Sequence, residues 1–137
     1  MTFMAVSSRA DALRRLGKML DDIQPGAELL CFTNSLEALA TARQREIDVA
    51  LLEAEMPELT GIDLGQYLQE LYPLVNLIFL SREQSHCFAA LSLHASGYVL
   101  EPLSPEALRR ELGDLRHPAL EKAHKRVFAQ TFGNFEL

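Results

Sequence analysis

Five short apolar runs, each four to six residues long and each followed by a stretch of helical period, constrain this chain more than any other feature. The run Val49-Ala50-Leu51-Leu52 has no polar alternation, so a strand built from it is apolar on both faces and must be covered on both. Runs of this kind alternating with helices are the signature of an α/β fold, a doubly wound parallel sheet with helices on either side. The expected strands are 2–6, 28–32, 48–53, 75–80 and 97–100, and the expected helices 9–23, 35–46, 61–72, 82–94 and about 105–115.

The helices have local signals of their own. Leu13, Leu16, Leu20 and Ile23 form one apolar stripe, Leu64, Leu68 and Leu71 a second, and Leu108, Leu112 and Leu115 a third. Pro25-Gly26 and Pro73 end the first and third helices. Asn34, with Glu37 three residues on, opens the second, and Ser104-Pro105 supplies an N-cap and a first helical residue for the last.

In an open sheet of this type, ligands bind outside the carboxyl ends of the strands, where the strand order reverses. The residues expected at that edge are Ser7, Ser8, Glu53, Ser81 and Glu101. Each also has a plainer reading. Ser8 with Asp11, and Ser81 with Gln84, have the spacing of capping boxes, Glu53 reads equally as a solvated acid at a strand end, and Tyr98 as a partly buried strand aromatic.

Asp48-Val49-Ala50-Leu51-Leu52-Glu53-Ala54-Glu55-Met56-Pro57, with Gly61 beyond it, resembles the third strand and following loop of a bacterial response-regulator receiver domain. Glu53 then stands where that family keeps its phosphate-accepting aspartate. By the same resemblance, Ser7-Ser8 replace the acid pair that holds Mg2+, Ser81 keeps the hydroxyl that bonds the phosphoryl group, Tyr98 is the switch aromatic, and Glu101, before Pro102, replaces the lysine. The implied fold is the (βα)5 flavodoxin-like receiver, altered at its reactive positions.

Those replacements bear on chemistry. Phosphoryl transfer rests on positioning and on cations that neutralise the charge of the transferred group. Serine hydroxyls are poor substitutes for a carboxylate pair at Mg2+, and Glu101 repels an acyl phosphate that a lysine would clamp. With Glu53 and Glu101 both in the pocket, like charges raise at least one carboxyl pKa unless a cation intervenes; Glu101 is therefore expected to turn outward or to pair with Arg9 or Arg82. A glutamate at position 53 either mimics the phosphorylated aspartate or is simple decay. The expectation is a degenerate pseudo-receiver with no metal, no cofactor and no catalytic residue.

The 137 residues suffice for one domain and a tail. No run of eighteen or more apolar residues and no leader-like N-terminus is found, so a cytoplasmic protein without membrane contact is expected. Cys31 and Cys87 have neither ligand nor redox spacing, and His86, His94, His117 and His124 are not grouped as a metal site. Residues 1–115 carry 9 basic and 17 acidic side chains, net −8, whereas 116–137 carry 4 and 2, net +2. An acidic body does not bind DNA by itself, because non-specific DNA affinity comes from Lys and Arg on phosphates.

Residues 1–116 are thus expected to form a receiver-like domain, and 117–137 a linker and the start of a C-terminal DNA-binding domain. The closing Phe132-Gly133-Asn134-Phe135-Glu136-Leu137 is similar to the opening strand of bacterial transcriptional activator domains of the antibiotic-regulatory-protein type. The leading functional expectation is the N-terminal regulatory and dimerisation module of a transcription regulator that works without phosphate. A stand-alone adaptor docking a kinase or other regulator, and a receiver that responds to a small ligand, are the alternatives. The resemblance implies a homodimer face on the fourth helix, fifth strand and fifth helix, with Phe88, Leu91, Arg109, Arg110 and Glu111 as candidate interface residues.

Overall fold

A computed structural model of the chain describes residues 1–118. The elements are β1 (Thr2–Val6), α1 (Ala10–Ile23), β2 (Glu28–Phe32), α2 (Ser35–Ala42), β3 (Val49–Glu53), α3 (Gly61–Leu71), β4 (Asn76–Ser81), α4 (Cys87–Ser92), β5 (Gly97–Leu100) and α5 (Pro105–Leu112), with a 3-10 turn at Gln84–His86 before α4. The strands form one parallel sheet in the order β2-β1-β3-β4-β5. The tail beyond Pro118, with its expected linker and domain start, lies outside the described residues.

Period-two alternation along the strands splits the core into two layers. Phe3, Ala5, Val49, Leu51, Ile78, Leu80 and Val99 face α1 and α5, meeting Leu13, Leu16, Leu20, Ala107 and Leu108. Met4, Val6, Ala50, Leu52, Leu77 and Phe79 face α2, α3 and α4, meeting Ala38, Leu39, Ala42, Leu64, Leu68 and Ala90. The central strands β3 and β4 are buried along their whole length, as their unbroken apolar sequence requires.

The two expected caps at Asn34 and Ser104 form, and Thr60 adds one that was not expected. Asn34 Oδ1 accepts from Leu36 N at 2.8 Å and Glu37 N at 3.1 Å, Thr60 Oγ1 from Asp63 N, and Ser104 Oγ from Ala107 N with Pro105 as the first residue of α5. Ser8 does not cap α1: the helix starts one residue after Arg9, without a side-chain cap. Ser81 does not cap a helix either, since its hydroxyl accepts from Glu83 N and the chain enters a 3-10 turn. In both places the strand end turns the serine toward the neighbouring acids instead.

Some helices are shorter than their patterns suggest. α2 stops at Ala42 because Arg43-Gln44-Arg45-Glu46 is exposed and has nothing to bury; isolated turns without packing are marginal. α4 is only Cys87–Ser92, and it ends where His94 takes φ 56°. α5 ends at Leu112, leaving Leu112 and Leu115 half-buried against the core rather than sealed in it. Leu71, expected to face inward, is 39% exposed. Its place is taken by Tyr72, which packs on the α3 side of the core and donates its hydroxyl to Ala42 O at 2.5 Å.

Candidate functional site

The strand order reverses between β1 and β3, so the crevice lies over the carboxyl ends of those two strands. Val6 pairs with Leu52 in that register, which sets the residues just past β1, Ser7 and Ser8, beside Glu53. Gly61 makes the arrangement possible. A Cβ there would lie 2.1 Å from the Glu53 carbonyl oxygen, so only glycine lets α3 begin against the end of β3, with Gly61 N donating to Ala54 O.

Glu53 is not the solvated acid that a strand end suggests. It is wholly buried. Its Oε1 accepts from Ser7 Oγ at 2.8 Å, Ser8 N at 2.9 Å and, more weakly, Ser8 Oγ at 3.3 Å. Among the described residues its Oε2 is buried without a hydrogen-bond partner, and a guanidinium nitrogen of the exposed Arg82 is 4.0 Å away.

Glu101, at the end of β5, does not turn outward; its side chain is 10% exposed and pairs with Arg9 at 2.7 Å. Its Oε1, like Arg9 Nε, is buried without a hydrogen-bond partner among the described residues, and the following bond to Pro102 is cis. Burial pushes the Glu101 carboxyl above the ordinary glutamate value; Arg9 opposes that rise and the negative charge of Glu53 adds to it.

Glu55 completes the cluster. It sits in the bend just past the end of β3, which brings a carboxylate oxygen of it within 4.8 Å of one each from Glu53 and Glu101. Ser81, fully buried, donates its hydroxyl to Glu55 Oε2, Arg82 N donates to Glu55 Oε1 at 3.3 Å, and His86 Nε2 is 3.2 Å from the same carboxylate. Ser81 therefore does sit at the site, but its hydrogen is engaged by a side chain whose role the sequence pattern did not single out. Tyr98 is half-buried and donates to Glu83 O at 2.5 Å, tying β5 to the loop before α4.

The groups after β1 do not fit the acid-pair Mg2+ site that the resemblance implies. Ser7 Oγ and Ser8 N aim hydrogens at Glu53, so this corner presents donors where a cation needs lone pairs. Glu53 is also no accessible nucleophile, being sealed with one oxygen saturated by donors. Beside the cluster, a cavity of about 280 Å³ runs under α1, with Leu13, Leu16, Met19 and Leu103 on its apolar side and Arg9, Arg15 and Arg82 among its polar groups.

The expected interface residues divide. Phe88 is 80% and Leu91 65% exposed on α4, Leu100 is exposed on neighbouring β5, and Arg109 and Arg110 are exposed on α5. Glu111 is not a free rim charge: its carboxylate covers Gly97, where an added Cβ would come within 2.0 Å of Oε1. Burial raises its pKa, against the pull of Arg110.

Comparison with known proteins gives a consistent picture. Residues 4–113 match the family description "response regulator receiver domain". An uncharacterized response regulatory protein of Vibrio cholerae is 29% identical over 110 residues, spanning 78% of this chain and 42% of the relative. The transcriptional regulatory protein BtsR of Salmonella typhi is 30% identical over 105 residues, with 76% and 42% covered. The chain thus spans less than half the length of these relatives. In fold, the response regulatory domain of mrkE from Klebsiella pneumoniae superposes with a TM-score of 0.78 at 22% identity, covering 84% of this chain and 94% of that one.

Proposed function

The chain belongs to the response regulator receiver family, and from that premise we propose that it is a phosphorylation-independent receiver, the N-terminal regulatory and dimerisation module of a DNA-binding transcription regulator. The observation that carries this reading is Glu53: a buried carboxylate already held by Ser7 and Ser8, with Glu101 rather than a cation at the end of β5. A phosphoryl donor has neither an accessible nucleophile nor the countercharge that transfer needs. In this reading Glu53 locks the pocket, Ser81 and Tyr98 hold the β4–α4 loop in one state, and signalling proceeds by association.

Phe88, Leu91 and Leu100 form the apolar centre of the dimer face, with Arg109 and Arg110 at its rim. Residues 1–116 act as the receiver, and 117–137 lead into a DNA-contacting domain, in keeping with relatives named as transcriptional regulators that are more than twice the matched length. The cavity under α1 supports a second reading, in which a small ligand rather than phosphate is sensed.

The deciding experiment is the mass in solution by light scattering, with and without Mg2+ and beryllofluoride, a mimic of the acyl phosphate. A dimer that does not respond is the expected result. A change of mass on adding the mimic would overturn phosphate independence, and an unresponsive monomer would overturn the dimerisation role.

A further inference from the structure

Building on the reading in which the cavity under α1 senses a small ligand, we propose that this ligand is an uncharged amphiphile with a short alkyl tail and a primary-amide or lactam head. The cavity, about 280 Å³, lies on the α1 side of the sheet, lined by Leu51 and Leu80 of the sheet, Leu16 and Met19 of α1, and Leu103 beyond β5. Its size is at the small end of ligand pockets, about 300–1,000 Å³, and its lining is of their kind, mostly apolar with a few polar groups.

The head follows from two polar atoms that the fold leaves open. Glu101 Oε1 and Arg9 Nε are buried without a hydrogen-bond partner among the described residues, and both residues line the cavity. The Glu101 side chain is only 10% exposed. Each open atom is joined through a single carbon to an atom of the 2.7 Å ion pair, so the pair offers an acceptor and a donor side by side. Leaving such groups unpaired is costly. A primary amide or a lactam carries N–H and C=O on one edge; it gives a hydrogen to Oε1 and takes one from Nε. A trans secondary amide points the two groups in opposite directions, and an ester has no hydrogen to give.

Charge excludes an ionised head. The cations of the described lining each face an acid already: Arg9 with Glu101 at 2.7 Å, Arg15 with Asp11 at 3.0 Å and Arg82 with Glu53 at 4.0 Å. A carboxylate head would set its charge beside Glu101 with no unpaired cation in that lining to offset it, and an ammonium head would meet three guanidinium groups. The shortage of countercharge that disfavours phosphoryl transfer at Glu53 thus selects a neutral ligand here. The tail follows from the apolar lining, where each buried methylene tightens binding by roughly fourfold until the space is filled.

The test is NMR chemical-shift titration of the 137-residue chain with butanamide, hexanamide, N-methylhexanamide, methyl hexanoate and sodium hexanoate. Hexanamide should bind saturably with a dissociation constant of roughly millimolar order, as its few heavy atoms allow. It should bind about tenfold tighter than butanamide, for two added methylenes, and at least about tenfold tighter than the ester, the N-methyl amide or the carboxylate. Ala12 lines the cavity from α1, so Ala12→Leu fills it and should abolish binding while keeping native circular dichroism. An ester or carboxylate that binds the unaltered chain as tightly as hexanamide, and is lost in Ala12→Leu, would overturn the amide head while the small-ligand reading stood. No saturable shift with any of these probes, up to roughly ten times the expected dissociation constant, would overturn both. Binding that survives in Ala12→Leu would overturn the location. The beryllofluoride measurement, made without these probes, reads the phosphate question independently.

Discussion

Glu53 shows how far one side chain's surroundings determine what it does. Removing it should destabilise the fold, because Ser7 Oγ and Ser8 N would lose their acceptor and a buried volume would empty. Glu53→Ala is expected to cost about 2–4 kcal/mol, read as a shift in the urea midpoint at unchanged slope. Glu101 gives a pH signature. Its carboxyl titrates above the ordinary 4.5 in the folded chain because it is buried. Between those two values the folded state holds more protons than the unfolded one, so this group's contribution to stability falls as pH rises and stays low above the folded pKa. Glu101→Gln removes that loss; its melting temperature relative to the wild type should climb as pH increases upward from 4.5. A flat difference across that window would contradict the assignment.

At the scale of elements, glycine placement separates close approach from mere helix cost. Gly61→Ala forces a methyl into the Glu53 carbonyl, so α3 must move away from β3; a loss of about 1–3 kcal/mol or more is expected in chemical denaturation. Gly17 in α1 meets only Leu29 at an ordinary 3.7 Å, and Gly17→Ala should instead stabilise by about 0.5–1 kcal/mol. The contrast tests the packing argument, since both changes add the same atom. The far edge of the sheet is held differently. Buried Asn76 donates to His117 O and accepts from His117 N, each at 2.7 Å, and Ser96 Oγ accepts from Arg116 N. These bonds direct the chain after α5 along the amino ends of β4 and β5, opposite the carboxylate cluster.

For the whole molecule, the exposed Phe88 and Leu91 are the test of association. Isolated surface apolar residues are ordinary, but Phe88 and Leu91, 80% and 65% exposed, stand three residues apart on one face of α4. Phe88→Glu or Leu91→Glu should convert the expected dimer to monomer in light scattering, and unchanged mass would reject this face. The chain's net charge of −6 sets two copies against each other, so moderate salt should strengthen the dimer by screening if apolar burial drives it.

The sheet, the helix order, both core layers and the caps at Asn34 and Ser104 were legible in the sequence, because period and turn chemistry are local properties that burial then reinforces. So was the set of residues at the carboxyl edge, since each lies at the end of an apolar run. What those residues bond was not legible. Whether Ser8 caps α1 or serves Glu53, whether Glu101 faces water or Arg9, and whether Glu55 joins the cluster depend on strands far apart in sequence that meet only through the parallel register. Helix length belongs to the same class, as at α2, where packing ran out before propensity did. The sequence by itself determined the elements and the edge at which chemistry could gather; tertiary structure decided the partners, because a buried charge takes whichever donor the fold brings within about 3 Å.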